Sequence, residues 1–492
     1  MNMRAALATC CNAWITRPRP ALLARAWRKL RGSGGRLASG LLLAFALVGC
    51  AHDPVNAQLE QYAPNDGYRL ENLPAPNNSG SLFAVLAFSG GGTRAAALAY
   101  GVLEQLQQTD IVWEGRRKSL LDEVDLISAV SGGSYTAAYH ALYRERLFTD
   151  FEPDFLLRNV QGQLTRKLLA PGNLARTISP TFGRSDLVAE YLDKYLFHGA
   201  TFSDLQQYGR PFVLLNASDM SLGTRFEFTR DQFDLLCPGL ATYPLSRAVA
   251  ASSAVPVVLS PLTLRNYAGS CGYHEPAWVQ AAPDDRAASA RRYYQASNMR
   301  SCLDRAQRPY VHLLDGGISG DTGLRALLER AQTEREPQRL PHAPGMAALS
   351  KVVLITVSAE TPPSRRLDHS EAVSSVFQVI RNVKNIPIGR YSFETTELFK
   401  ARFEALARDS GNVDTRFYLV EVTSEALSDP VEYKRFADIP TSFALPAGDV
   451  DALHRVAGRL LHRSPDDRRL LRGLGAQDEW PGLAAIKSRS NG

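Results

Sequence analysis

Ile127-Ser128-Ala129-Val130-Ser131-Gly132-Gly133-Ser134 joins two patterns that belong to different secondary structures. Upstream, Val124 to Val130 is short and mostly apolar, the composition of a buried strand; downstream, Tyr135 to Leu147 has helical spacing. A serine held on a sharp strand-to-helix turn needs small residues two positions before and two after it. The strained backbone brings those Cα atoms close to the strand and the helix. Ala129 and Gly133 meet that need around Ser131, whereas Ser128 and Ser134 lack small residues on both sides at that spacing. Ser131 is therefore the candidate nucleophile. The full pattern is G-x-S-x-G, from which Ala129 departs: alanine keeps most of the space but not glycine's freedom at positive φ. Taken alone, the octapeptide reads equally well as a glycine-rich turn capped by serine.

Two further turns change that balance. Apolar Leu82 to Phe88 ends in Ser89-Gly90-Gly91-Gly92-Thr93-Arg94 and an Ala-rich, helix-favouring stretch from Ala95 to about Gln107, a second strand, glycine turn and helix. Attack on an ester creates a tetrahedral oxyanion. Three glycines let backbone N–H groups approach it, and the helix N-terminus adds a positive dipole. Arg94 is placed either to bind a phosphate of the substrate or to anchor this loop. A dinucleotide or phosphate cradle is the competing reading, but neither G-x-G-x-x-G nor a P-loop Gly-Lys-Ser/Thr is present. The second turn is Tyr310-Val311-His312-Leu313-Leu314-Asp315-Gly316-Gly317, an acidic residue at a strand end before two glycines. By itself this is an Asp-Gly β-turn; beside a candidate nucleophile, Asp315 is the candidate base. His312 lies three residues earlier on the same strand, which directs it to the opposite face.

Further strands are expected at Pro211 to Ala217, Val255 to Leu264, Tyr310 to Leu314, Val352 to Val357 and Phe417 to Val422, with helices at Leu187 to Leu196 and Ser246 to Ala251 between them. Strands alternating with helices predict an α/β layer architecture. The polar stretch from Ser270 to Ser301 is too long for an ordinary loop and reads as a surface insertion. After Ala359, helical patterns dominate (Ser370 to Val383, Glu394 to Arg408, Val450 to Leu461). These helices either cover the sheet or help the mouth of the site meet a membrane.

The formal charge is +6, but the eight basic residues from Arg4 to Arg36 lie in a segment with no Asp or Glu; without them 48 basic residues face 50 acidic ones. A near-neutral remainder offers no electrostatic reason to bind nucleic acid. The basic segment precedes an apolar run, Leu37 to Val48, too short to span a bilayer, and then Gly49-Cys50. Leu47-Val48-Gly49-Cys50 resembles a bacterial lipobox, which implies cleavage before Cys50 and its acylation; Ala51, in place of Asp, implies an outer-membrane anchor facing the periplasm. Turn-rich residues 51–80 then read as a tether with little structure. Of the remaining cysteines, Cys271 and Cys302 flank the polar insertion and are expected to pair, leaving Cys237 free. No spacing suggests a metal site or a calcium loop, so no cofactor is expected.

In this order, GGGTR, AVSGG and DGG resemble the patatin-like phospholipases over roughly Leu82 to Val357. Asn216 to Phe228 and Ala250-Ala251-Ser252-Ser253-Ala254-Val255-Pro256 are similar to that family's intermediate segments. The resemblance implies a three-layer fold, a central mostly parallel sheet flanked by helices, to which the pattern after Ala359 adds a helical C-terminal extension. It also implies a Ser-Asp dyad without histidine. Ser131 attacks the acyl carbonyl, Asp315 takes its proton, and amides of Gly90, Gly91 and Gly92 hold the oxyanion. The chain departs from the family pattern at Ala129 and after DGG, where Ile318-Ser319-Gly320-Asp321 replaces the usual Asp-Asn. The expected division is a signal peptide over 1–49, a tether over 50–80, a catalytic domain over 81–360 and a mainly helical extension over 361–492. Expected partners are a phospholipid or other acyl lipid and the membrane holding the anchor. Acyltransferase, thioesterase and non-catalytic lipid-binding readings use the same fold.

Overall fold

The computed structural model describes residues 56–476, except 178, 284–285, 288, 334–348, 362–365, 370, 372–374 and 410–414; Cys50 and the segment before it lie outside the described residues. Strand β1 (Leu82–Phe88) leads through the triple-glycine turn into α1 (Thr93–Gln108). A small hairpin, β2 (Asp110–Trp113) and β3 (Arg116–Ser119), precedes β4 (Val124–Val130), which runs through Ser131 into α2 (Gly132–Tyr143). Every residue of β1 and of β4 is buried, as expected for strands covered on both faces by crossover helices. Then follow β5 (Phe212–Asp219), β6 (Arg225–Glu227), α3 (Leu245–Ser252), β7 (Leu262–Arg265) and β8 (Tyr310–Asp315).

The strand order is β10-β9-β1-β4-β5-β8-β7, where β9 is Lys351–Ser358 and β10 is Arg416–Thr423. From β10 to β5 all neighbours are parallel; β8 is antiparallel to both β5 and β7. The sheet is thus mostly parallel and flanked by helices. Register decides the site: Val130 pairs with Asn216, and Ala217 pairs with Asp315, so β4 and β8 end at one level on opposite sides of β5.

The C-terminal residues complete this layer. Strand β10 extends the sheet past β9, and between them in sequence runs one 34-residue helix, α4 (Val376–Asp409), where two helices were expected. Helix α5 (Ala447–Arg463) packs on α1 so closely that a Cβ at Gly101 would lie 2.8 Å from Ala457 Cβ. No described helix is long and apolar enough to cross a membrane.

Four expectations need correction. Of the proposed strand Val255 to Leu264 only the last three residues are a strand, within Leu262–Arg265; Pro256 and Pro261 remove ladder donors, and Val257 sits at φ 73°. The part of the supposed tether from Asn56 on is a clamp instead of a loose linker. The Tyr68 hydroxyl donates to Val213 O, Arg69 pairs with Asp231 and Asp234, and Arg210 N donates to Pro74 O. The surface insertion contains helices Ala277–Ala281 and Ala290–Leu303. Finally, Cys271 pairs with Cys237, not Cys302. Cys237 ends its helix in a left-handed conformation. The bonds Tyr267 N to Leu236 O, Leu59 N to Cys237 O and Tyr62 N to Cys271 O draw the two cysteines together, with Cα atoms 5.7 Å apart. Cys302 is buried and free beside Arg308, its thiol pushed up to about 11 by burial.

Candidate active site

Ser131 occupies φ 46°, ψ −115°, a region costly for any residue with a Cβ. The turn that imposes this conformation depends on contacts only glycine allows. A Cβ at Gly132 would collide with Gly92 O, and one at Gly133 would lie 2.6 Å from Phe88 Cβ. The two glycine turns are therefore packed backbone to backbone. Ala129 is fully buried in β4 opposite Phe88 of β1, so a methyl group is accommodated where the pattern prefers glycine.

At the level set by the sheet register, Ser131 Oγ donates to Asp315 Oδ2 at 2.9 Å. The other carboxylate oxygen accepts from Gly317 N at 2.8 Å, so the glycine after the acid orients it. Both residues are buried but reachable, at 6 % and 8 % exposure. The backbone of Asp315 is held from α3: Asp315 N donates to Ala254 O and Gly316 N to Ser252 O, both at 3.0 Å. Ser128 and Ser134 are committed elsewhere, Ser128 Oγ donating to Gly323 O and Ser134 Oγ bonding Ser252 Oγ. His312 is exposed and bonds Thr263 on the neighbouring strand, away from Asp315.

Two expectations for the triple-glycine turn change. Gly90 does not offer its amide, because that N–H donates to Asp321 O at 2.9 Å. Its lack of a side chain serves a different purpose: a Cβ there would collide with Asp321 Oδ1 and lie 3.2 Å from Ser131 Cβ. The amides of Gly91 and Gly92 make no hydrogen bond among the described residues. Arg94, for its part, is bonded into the C-terminal segment. Its guanidinium is buried and donates to Ile439 O at 2.6 Å and to Thr441 Oγ1 at 3.3 Å. Of the two roles open to it in the sequence, anchoring is the one its contacts serve. Burial pushes its pKa down to about 10, partly offset by Asp321 and Glu360. The same C-terminal segment seals the loop from above: Thr93 N donates to Ser442 O, and a Cβ at Gly92 would lie 2.5 Å from that oxygen.

Sequence reasoning missed three supporting side chains. Ser252 Oγ accepts from Ser131 N and donates to Asn216 O, and Asn216 Nδ2 donates to Ala129 O and Ser128 Oγ, so the pair ties the elbow to β5. Asp321 wedges its carboxylate between the Gly90 and Gly317 turns. Each stands in a segment with a recognisable pattern, but nothing local distinguishes these residues from ordinary turn and helix polar groups.

Residues 86–328 match the family model described as patatin-like phospholipase. The chain carries a patatin-like phospholipase domain. Among solved structures, the fold is similar to human GIVD cytosolic phospholipase A2, at 14% identity and a TM-score of 0.39 over 80% of this chain and 62% of that one. It is also similar to the same human enzyme in complex with methyl gamma-linolenyl fluorophosphonate, at 13% identity and a TM-score of 0.40 over 80% and 59%. The chain thus aligns with about three fifths of the length of these proteins. No curated protein matches it.

Proposed function

We propose that the protein is a serine lipid acyl hydrolase of phospholipase A or lysophospholipase type, with Ser131 as nucleophile and Asp315 as its general base. The observation that carries this reading is the 2.9 Å bond from Ser131 Oγ to Asp315 Oδ2 on a strained strand-to-helix elbow. On attack, Asp315 takes the hydroxyl proton as Oγ bonds to the acyl carbon. The resulting oxyanion is met by the Gly91 and Gly92 amides, with the dipoles of α1 and α2 adding positive potential. Collapse expels the alcohol, which takes the proton from Asp315. Water then enters by the reverse route and frees the acid. Gly317 N, bonded to the far oxygen of Asp315, holds the carboxylate in register through both halves.

The charge-then-apolar segment ending at Cys50 supports the companion proposal of a lipid anchor at the outer membrane, probed by fatty-acid labelling of wild type against Cys50→Ala. The enzymatic reading is tested with purified protein on phospholipid, lysophospholipid and thioester substrates, with Ser131→Ala as control. Release of free fatty acid from a phospholipid, abolished in the variant, is the expected result. Transfer of the acyl group to an alcohol acceptor in preference to water would favour an acyltransferase, and no turnover of any ester would leave a lipid-binding protein.

A further inference from the structure

Large apolar side chains are left in solvent at one end of the sheet, and they come from several separate segments. Met220 and Leu222 sit in the turn between β5 and β6, and Val257 and Val258 follow α3 just beyond Ala254, whose carbonyl receives the Asp315 amide. Helix α4 adds a stripe. Val379, Val383 and Ile386 are spaced by four and three residues, so they share one side of the helix, and Val383 and Ile386 are 66% and 59% exposed. A surface cavity of about 530 Å³ lies between α4 and the β5–β6 turn, lined by Gly223, Ile318, Val383, Pro387, Ile388 and Tyr391. Ile318 lies three residues past Asp315, which puts this apolar surface beside the nucleophile's end of the sheet. A patch of this kind around a site, contributed by three parts of the chain, marks an interaction surface.

The path of the N-terminal chain points to what covers it. Arg265 pairs with Tyr310, five residues along β8 from Asp315, which places it roughly 17 Å beyond the dyad toward the C-terminal ends of the parallel strands. Asn56 is fixed there by two bonds, Asn56 Nδ2 to Arg265 O at 3.1 Å and Arg265 N to Asn56 Oδ1 at 2.7 Å. Cys50 precedes Asn56 by six residues, a reach of at most about 22 Å even when fully extended. The chain therefore leaves the fold at the same end as the apolar rim and on a short leash. A second copy of the chain would have no reason to be sited by that leash; a bilayer holding the lipid of Cys50 would.

We infer that this rim, with the outward stripe of α4 at its centre, is a bilayer-docking face, seated on the membrane to which Cys50 is tethered. The inference rests on the lipid-directed reading of the protein, but not on the dyad. Docking would bring the mouth of the site against the lipid surface, so that an acyl lipid reaches Ser131 without crossing open water.

The test uses the chain from residue 51 on, so that neither the lipid nor the basic and apolar segment before Cys50 contributes to partition, and vesicles of phosphatidylethanolamine with phosphatidylglycerol. Co-sedimentation should fall by about tenfold or more on Val383→Asp with Ile386→Asp, while the thermal unfolding midpoint stays in place. A separate Ile386→Trp protein should gain emission over the parent that shifts to the blue on adding vesicles and is quenched by brominated lipid. Added Ser131→Ala should leave binding intact, which separates failure of docking from failure of the hydrolase reading. The inference is overturned if the parent does not bind these vesicles, if the double variant binds as the parent does, or if the emission gained by Ile386→Trp ignores them. It is equally overturned if the double variant dissociates a dimer in ultracentrifugation while vesicle binding persists, because the face would then belong to a second copy.

Discussion

The two ends of the parallel strands bury carboxylates in opposite ways. At the N-terminal ends, Asp125 of β4 is fully enclosed and meets a cation and two further donors: Arg210 Nη1 at 2.5 Å, Ala84 N at 2.9 Å and Asn78 Nδ2 at 3.2 Å. Burial pushes its carboxyl up to about 7, against the pull of the Ala84 amide and Arg210. Its neighbour Glu123 pairs with Lys118 and accepts from the amide and hydroxyl of Ser79. At the C-terminal ends, Asp315 bonds a serine hydroxyl and a backbone amide. A buried carboxylate paired with a cation holds strands together and has no hydroxyl beside it to deprotonate. One bonded to a hydroxyl retains the capacity to take that hydroxyl's proton. The backbone follows the same division. The lower end is tied by side chains to residues 68–79 of the clamp, whereas the upper end is made of glycine turns in backbone contact and a serine at positive φ.

The largest effects expected from this contrast are at the dyad. Ser131→Ala and Asp315→Asn should each lower turnover by about 10⁴-fold or more, and the double variant should be scarcely worse than either, because the two act as one unit. His312→Ala, on the opposite face of β8, should stay within about tenfold, or roughly 1.4 kcal/mol of barrier. Single-turnover rates on one ester substrate check all four; a His312→Ala enzyme as slow as Ser131→Ala would require a histidine in the mechanism.

Next in size, and different in kind, is the lower end. Asp125→Ala or Arg210→Ala leaves a buried ionisable group without its partner and should cost about 3–5 kcal/mol of stability, measured by denaturant unfolding, with activity per folded molecule retained. Loss of turnover without loss of stability would erase the distinction between the two ends.

The glycine turns test the upper end directly. Gly132→Ala forces a Cβ against Gly92 O and should push the two turns apart, lowering kcat by about 10²-fold, the scale of one lost oxyanion donor. Gly448→Ala at the start of α5, where nothing lies within 4 Å, is the matching substitution and should leave the rate unchanged while raising stability by up to about 1 kcal/mol.

The smallest effect belongs to Glu360, just past β9. Its carboxyl is pushed up to about 7 by burial, then by Asp321 and Glu425, against the pull of Arg94. A folded-state pKa raised above the unfolded value contributes stability that is complete below about pH 4.5 and is lost as pH rises through about 7. Glu360→Gln should therefore match wild type near pH 4 and exceed it near pH 8 by about 1–2 kcal/mol, a figure reduced for partial solvent screening. Unfolding curves across that range decide it; a gap that widens toward acid would reverse the sign.

What could be read before any fold was known concerns short-range geometry. Ser131 with Ala129 and Gly133, the run Gly90-Gly91-Gly92, and Asp315 with Gly316 and Gly317 each declare themselves within a few residues. The reason is that a tight turn requires small neighbours at fixed offsets. The strands β5, β8, β9 and β10 were legible for a similar reason, as apolar runs bounded by breakers. What only the folded chain decided depends on residues far apart in sequence. Asp321 takes the Gly90 amide across 231 positions, and Ile439 takes Arg94 across 345. Cys237 reaches Cys271 instead of leaving it to Cys302 because backbone bonds from Leu59, Tyr62 and Tyr267 gather the first two. Strand β10 and helix α5, outside the matched domain, close the sheet and cover α1. Local spacing carries no record of such pairings, since a hydrogen bond or a disulfide depends on distance in space, which the packing of the sheet alone sets.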